Sequence, residues 1–388
     1  MSIKVIGVLT VARSDAGIYL PVLKAIQDHP KLKLKLIVAA MHLSNEFGLT
    51  YKYLEEQGFK IDERIEMTTS SDTPEGLAKS MGLGMISFGQ LFGKWKPDIL
   101  MVLGDRFEML AATSAALPFN IPVAHLHGGE ATEGLIDEPI RHSITKMSHL
   151  HFVSTKEYYN RVVQLGEEPW RVKISGAPSL DLLETINFWS KDKLESKIGL
   201  SLNKPTILVT LHPVTLDYQN TLDHIKCVLK ALEKLKIQVV FTYPNSDTSG
   251  RIIINHIKKC VEKYEWASEV VNFGQEGYFT MLNYASAMLG NSSSGIIESA
   301  SFGIPVINIG NRQRGRIRSF NVIDVGYNHK EICESIKKVI KPDFRKKLEG
   351  MKNPYGNGDA SSKIVDVISK VQVNQKLIMK KFYNLNTK

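Results

Sequence analysis

The chain has only three cysteines in 388 residues, Cys227, Cys260 and Cys333, an odd number set far apart. That spacing excludes a disulfide framework and a cysteine-held metal, and it points to a reducing cytoplasm. No apolar run approaches the roughly 20 residues needed to span a bilayer. The start, Met1 to Leu9, reads as a strand with no cleavage site behind it. A Walker loop is missing, and so is a dinucleotide fingerprint. The nearest approach, Gly82-Leu83-Gly84-Met85-Ile86-Ser87, lacks its third glycine and lies inside a helical pattern, so it reads as core. A nicotinamide cofactor has no visible seat. Acidic residues are in deficit, 40 against 49 basic, giving a formal charge of +9. The lysines are scattered over helical stretches without interleaved aromatics or a nucleic-acid module. An anionic small molecule is a better partner for this chain than nucleic acid.

What is present is a rhythm. Ile3–Leu9, Leu34–Ala40, Ile99–Leu103, Val123–Leu126, Leu150–Ser154 and Val172–Ser175 read as strands, with helices at Ile18–His29 and Pro74–Phe92. This is the βαβ alternation of a parallel sheet. It breaks over Gly176–Lys204 and restarts at Thr206–Leu211. Helices follow at Thr221–Leu235 and Gly250–Lys263, and strands at Gln238–Thr242, near Val270, at Ala287–Leu289 and at Val306–Ile309. The expected class is α/β, two Rossmann-like domains with a cleft between them. The boundaries read as 1–178, a linker at 179–204, then 205–360, with a helical segment 361–388 that can cross back to the first domain.

Residues that carry chemistry fall just past the strand ends, where such sheets face their ligand crevice. Arg13 and Asp15 follow the first strand, His42 the second, and Asp105-Arg106 the run Asp98–Leu103. His125-Leu126-His127-Gly128-Gly129-Glu130 and Asp137-Glu138-Pro139-Ile140-Arg141-His142 complete a cluster of carboxylates, imidazoles and arginines. Solvated loop charges are the competing reading. His125 with His127, and His149 with His151, share faces of strands, but no further ligand spacing supports zinc, and no metal is expected. In the second half, His212-Pro213 and Asn245 follow strands. Gly290-Asn291-Ser292-Ser293-Ser294-Gly295 reads as a pyrophosphate cradle opening a helix that carries Glu298, which can accept from ribose hydroxyls. Of Arg312, Arg314, Arg316 and Arg318, only Arg312 is nominated for phosphate, the others reading as solvated.

Taken in order, these motifs resemble the hydrolysing UDP-N-acetylglucosamine 2-epimerases of sialic-acid-type sugar biosynthesis. The shared features are Gly104-Asp105-Arg106-Phe107, the His125 to Glu130 run, Ile136-Asp137 leading to Ile140-Arg141-His142, and His212-Pro213-Val214-Thr215. They continue through Pro244-Asn245, Gly290-Asn291-Ser292-Ser293 and Gly303-x-Pro305-Val306-Ile307-Asn308. The resemblance implies a glycosyltransferase-B-like fold and a UDP-sugar substrate; no cofactor is expected, and assembly as a homodimer or homotetramer is. It implies that Arg13, Arg106, His212, Asn245, Ser292, Ser293, Glu298 and Arg312 hold UDP, with His42 near the sugar and Phe273 against the uracil. Asp105 and Asp137 fall on positions of catalytic carboxylates. Two departures stand out. A glutamate is common in the family where His127 stands, and the loop Ala131–Ile136 is one residue longer than in the human relative. The His-Leu-His form looks like the branch feeding legionaminic-acid-type pathways, whose substrate is UDP-2,4-diacetamido-2,4,6-trideoxyglucose. Ile18 stands where the non-hydrolysing sister group has a lysine.

The chemistry then expected is loss of UDP from carbon 1 with proton removal from carbon 2, giving a glycal. Water adds across the double bond and releases the free 2-epimeric sugar; the expected substrate is UDP-N-acetylglucosamine, giving N-acetylmannosamine, and the alternative is the same reaction on UDP-2,4-diacetamido-2,4,6-trideoxyglucose. Asp105, His127, Glu130 and Asp137 are the acid/base candidates, and His212 assists the departing diphosphate. A glycosyltransferase and a non-catalytic nucleotide-sugar sensor are the competing classes. The acid/base cluster in the first half disfavours the transferase, and a sensor needs only the second-half site.

Overall fold

The computed structural model describes residues 3–385 apart from 47, 70, 72, 245–248 and 272. The chain divides into two compact units, the first comprising Met1–Glu130, Asp137–Glu184 and Tyr355–Lys388, the second Ala131–Ile136 and Thr185–Pro354. The first unit is built on strands β1 (Lys4–Thr10), β2 (Leu32–Ala39), β3 (Ile61–Ile65), β4 (Ile99–Leu103), β5 (Val123–Leu126), β6 (Leu150–Val153) and β7 (Val172–Ile174). They form one sheet in the order β3-β2-β1-β4-β5-β6-β7, with every pair parallel.

Both faces of this sheet are covered, which is why its central strands are unbroken apolar runs rather than alternating ones. Ile6 and Val8 of β1 pack on one face with Tyr19, Leu23 and Ile26. Leu9, with Leu100 and Val102 of β4, packs on the other with Phe88, Phe92 and Met109. The strand order reverses between β1 and β4, so the first switch point lies at the carboxyl ends of those two strands. Ligands of doubly wound sheets bind outside such points.

The second unit repeats the plan. Strands β8 (Thr206–Thr210), β9 (Gln238–Thr242), β10 (Ala267–Val270), β11 (Ala287–Gly290), β12 (Val306–Ile309) and β13 (Val322–Val325) form a parallel sheet in the order β10-β9-β8-β11-β12-β13. Its switch point lies between β8 and β11. Together the two sheets give the α/β, glycosyltransferase-B-like architecture that the sequence predicts.

Several details differ from the sequence reading. Strands β3 and β13 are additional, and both are edge strands; β3 is interrupted by three charged residues, and β13 is a short four-residue strand holding the exposed Asp324. The stretch 179–204 is divided, with Pro178–Glu184 in the first unit and a helix at Lys191–Ile198 in the second. Gly82–Ser87 lies in a helix, Pro74–Lys94, but it is not core. That helix buries Gly76, Ser80, Gly84, Phe88, Leu91 and Phe92, a stripe of near-helical period, which turns Leu83, Met85 and Ile86 outward.

The C-terminal segment belongs to the first unit. Helix Ala360–Lys370 sets Ile364, Val365 and Ile368 into the core beside Tyr19 and Leu23. Asp181 accepts from the Ala360 and Ser361 amides at 2.9 and 2.6 Å, which caps the start of that helix. Arg171, fully buried, donates to the carbonyls of Leu377 and Lys376 at 2.8 and 3.0 Å. Among the described residues no helix is long and apolar enough to cross a membrane.

Candidate active site

At the end of β5 the chain makes a bend that only its sequence permits. Gly129 has φ +75°, and a Cβ there would stand 2.6 Å from the Tyr158 carbonyl oxygen. Arg161 donates to the Gly129 carbonyl and holds the bend from outside. His127 precedes it with φ +61°, a conformation that costs a residue with a Cβ energy and recurs at functional sites. Its imidazole is buried, with Nδ1 2.6 Å from Glu130 Oε1 and 3.2 Å from Ser154 Oγ. Ser154 also donates to Glu130 Oε1, at 3.2 Å.

Arg141, fully buried in the helix Asp137–Met147, ties the rest of the cluster together. It donates to the Glu130 carbonyl at 3.1 Å, to Glu138 Oε2 at 2.6 Å and to Asp105 Oδ2. Asp105 sits in the turn after β4, and the buried His125 braces that turn by bonding the Gly104 carbonyl through Nε2 at 2.7 Å. Asp137 opens the helix that carries Arg141. Asp105, His127, Glu130 and Arg141 are thus joined through hydrogen bonds in one cluster, with Asp137 at the head of its helix.

Other predicted residues have different surroundings. Arg13 and Asp15 lie in the first turn of helix Arg13–Gln27, which begins earlier than the pattern suggests. Asp15 is buried and accepts from the Val11 amide at 2.7 Å and from Thr10 Oγ1 at 3.1 Å, closing the turn after β1. Arg13 is exposed. His42 is sealed in, bonded to Thr10 Oγ1 at 2.9 Å and to Thr50 Oγ1 at 2.8 Å. Arg106 directs its fork at Glu108, Nε to Oε2 at 3.2 Å and Nη2 to Oε1 at 3.1 Å. Glu108 is fully buried, a charge partner that sequence reading passes over, and burial raises its pKa.

His42 and His125 give the first unit a pH dependence. Burial, then the Arg106 charge, lowers the His42 pKa to about 4. Burial lowers that of His125 to about 3, against the opposing bond to Gly104. Both imidazoles titrate near 6.5 when unfolded, so below that pH the unfolded chain binds more protons than the folded one. The stability they contribute is complete above about pH 6.5 and is lost as pH falls toward 4 and 3. Denaturant unfolding at pH 5 should give a free energy lower than at pH 7 by about 2 kcal/mol per histidine. Equal stability at the two pH values would show that these rings are not held neutral.

In the second unit, Gly290 ends β11 with φ +136°, and a Cβ there would lie 1.9 Å from the Thr210 carbonyl oxygen of β8. Glycine is required for the two strand ends to come this close. Asn291, fully buried, then bridges them: Oδ1 accepts from the His212 amide at 2.7 Å, and Nδ2 donates to the His212 carbonyl at 2.8 Å. Its own carbonyl accepts from Arg312 Nη1 at 3.1 Å and Gln313 Nε2 at 2.9 Å. His212, Asn291 and Arg312 are therefore one assembly at the second switch point. Burial, then Arg312, lowers the His212 pKa well below its usual value, so the ring is neutral. Asn291 and Gln313 were not nominated from sequence; the Gly-Asn-Ser-Ser run holds the signal for the first, and nothing marks the second.

The helix expected after this loop is a single turn, Ser294–Ile297, followed by a short 3₁₀ turn, Ser299–Phe302, with the buried Glu298 between them. So short a helix has little macrodipole, so it adds little to the amides, the hydroxyls and Arg312 as a source of positive potential at this loop. Ser292 and Ser293 lead directly into the turn. Phe273 is buried at the start of helix Gly274–Tyr284, and Asn245 lies outside the described residues.

Arg314 and Arg318 are not simply solvated. Arg318 pairs with Asp324 at 2.7 Å, and Arg314 Nε pairs with Glu133 Oε2 at 2.9 Å. The latter is one of the contacts that tie loop Ala131–Ile136 into the second unit, to which it belongs. Glu133 N also donates to the Arg314 carbonyl at 3.1 Å, and Ile136 N to Thr215 Oγ1 at 3.0 Å. Among the described residues, no group of three or more His, Cys, Asp or Glu side chains could hold a metal ion.

Two parallel-sheet units, each with buried polar side chains gathered past its central strand ends, give the chain the glycosyltransferase-B-like architecture. The UDP-N-acetylglucosamine 2-epimerase family model matches residues 24–369, and the chain belongs to that family. It is 41% identical over 348 residues to the hydrolysing GDP/UDP-N,N'-diacetylbacillosamine 2-epimerase of Campylobacter jejuni, covering 89% of this chain and 90% of that protein. It is 32% identical to the hydrolysing UDP-N,N'-diacetylbacillosamine 2-epimerase of Legionella pneumophila, covering 96% and 97%. The fold is also that of a UDP-N-acetylglucosamine 2-epimerase from Neisseria meningitidis solved with its UDP-sugar, with a TM-score of 0.81, 21% identity, and 95% and 100% of the two chains covered. The chain is an enzyme, a hydrolysing nucleotide-sugar 2-epimerase.

Proposed function

We propose that the substrate is UDP-2,4-diacetamido-2,4,6-trideoxyglucose, that is, UDP-N,N'-diacetylbacillosamine, and that the product is the free 2-epimeric sugar. The observation that carries this reading is the 41% identity, over nine-tenths of both chains, to an enzyme whose name specifies that sugar. The His125-Leu126-His127 sequence, with an imidazole in place of the glutamate common in the family, agrees with it.

In this reading the second unit holds UDP. Backbone and hydroxyl donors at Ser292 and Ser293, with the Arg312 guanidinium, stabilise charge on the diphosphate as the bond from carbon 1 breaks. His212, held neutral, serves as a hydrogen-bond donor rather than a cation. Glu298 and Asn245 take ribose and phosphate contacts, and Arg13 and Arg106 add positive charge from the first unit. The first unit handles protons: Asp105, Asp137 and the His127–Glu130 pair supply the base and the acid. Proton removal from carbon 2 with loss of UDP gives the glycal, and water then adds its oxygen to carbon 1 and a proton to carbon 2.

The test is a comparison of kcat/KM for this sugar and for UDP-N-acetylglucosamine, following free UDP and the released sugar by NMR. The diacetamido sugar should be preferred by about tenfold or more, the range one or two extra side-group contacts supply. Preference for UDP-N-acetylglucosamine would give the chain the sialic-acid-type substrate instead.

A further inference from the structure

Inverting carbon 2 imposes a count. The proton leaves one face of the sugar and arrives on the other, so a single group that did both would regenerate the starting configuration. Two acid/base units are needed, and four side chains are on offer: Asp105, His127, Glu130 and Asp137. The geometry merges two of them.

Glu130 is 1% exposed, and its Oε1 faces His127 Nδ1 at 2.6 Å and Ser154 Oγ at 3.2 Å. An ionised carboxylate can only accept, so Nδ1 carries the proton in that bond. That leaves the lone pair on Nε2, and Nε2 is buried without a hydrogen-bond partner in the structure. The ring is held at φ +61° to reach this position. A buried, unpaired imidazole nitrogen at a strained residue, braced by a carboxylate behind it, is arranged for proton transfer rather than for packing.

We propose that Glu130 is a positioning residue acting through His127, with Ser154 fixing its carboxylate, and that His127 Nε2 is the atom that exchanges a proton with carbon 2. The inference rests on the epimerase reading above. In the elimination, Nε2 takes the carbon-2 proton, the carbon–hydrogen pair becomes the C1–C2 double bond, and the carbon-1 to oxygen bond breaks with its electrons on UDP. The imidazolium formed is stabilised by Glu130. Hydration then needs a proton from the opposite face, supplied by the unit containing Asp105 and Asp137, while water oxygen bonds to carbon 1 and its released proton goes to solvent.

Glu130→Gln keeps the shape and an acceptor oxygen but removes the charge. It should lower kcat about 100-fold with KM changed by less than about twofold. The low-pH limb of the kcat profile should move to lower pH by about one unit, because an imidazolium without its carboxylate is less favoured. Ser154→Ala should shift the same limb in the same direction by less, and it serves if Glu130→Gln folds poorly. His127→Ala should lose about as much rate as Glu130→Gln, and adding Glu130→Gln to it should cost little more.

A readout independent of turnover is the ring ¹⁵N spectrum of His127 in the substrate-free protein. The wild type should show the Nδ1–H form at neutral pH, and Glu130→Gln should move it toward the Nε2–H form. An unchanged pH profile and an unchanged tautomer would overturn the proposal. The expected tautomer shift in a protein that turns over neither UDP-sugar would instead remove the epimerase reading and leave the dyad standing.

Discussion

Asp105→Asn should lower kcat by about 10²–10⁴-fold, the range of a lost acid/base group, while UDP binding changes by less than about twofold. The reasoning starts from Arg141. That guanidinium is fully buried and is shared between Asp105, Glu138 and the Glu130 carbonyl. Asparagine keeps an oxygen toward Arg141, and Glu138 keeps a negative charge beside it, so the substitution need not leave a buried cation unpaired. What disappears is a group that can gain and release a proton. The residues assigned to UDP lie chiefly in the second unit, so calorimetry with UDP should report a nearly unchanged affinity. Asp137→Asn should behave the same way, because Asp137 is the other carboxylate assigned to proton transfer and heads the helix that carries Arg141. Near-normal turnover in either variant would remove that residue from the catalytic set. Loss of UDP affinity together with rate would mean damage beyond the chemistry.

The second large effect is expected at Asn291. Alanine there deletes both side-chain bonds to the His212 backbone and leaves a buried amide and carbonyl unsatisfied. Each orphaned group costs about 1–3 kcal/mol, so unfolding of Asn291→Ala should show a loss of about 2–4 kcal/mol. UDP affinity should fall about tenfold as His212 loses its fixed position beside Arg312. Asn291→Asp separates the two effects. It still accepts from the His212 amide but places a negative charge at the phosphate loop, so binding should suffer more than stability. Stability losses without a change in UDP affinity in either variant would move the diphosphate away from this switch point.

Much of the fold was legible because parallel strands buried on both faces must be continuous apolar runs, and β1, β4, β8, β9 and β12 are such runs. β3 and β13 were not, since an edge strand such as Ile61-Asp62-Glu63-Arg64-Ile65 can keep charges that hide its character. The site was readable to the level of strand ends. Position after a strand does not say whether a side chain stays accessible, and His42 and Arg106 show the limit. Thr10 and Thr50 enclose the first, and Glu108, itself two residues further along, takes the fork of the second. The docking of loop Ala131–Ile136 on Arg314 and Thr215 was invisible for another reason: it joins residues far apart in sequence through backbone groups that carry no pattern.

The central claim is elimination of UDP followed by hydration of a glycal, and isotope incorporation tests it most directly. Turnover of either UDP-sugar in D₂O should give free sugar with one deuterium at carbon 2 and none at carbon 1, because the proton added comes from a solvent-exchanged group on the face opposite to the one removed. Turnover in H₂¹⁸O should place the heavy oxygen on carbon 1 of the sugar and none in UDP. Product that keeps its original hydrogen at carbon 2, or heavy oxygen found in the diphosphate, would contradict this account of the reaction.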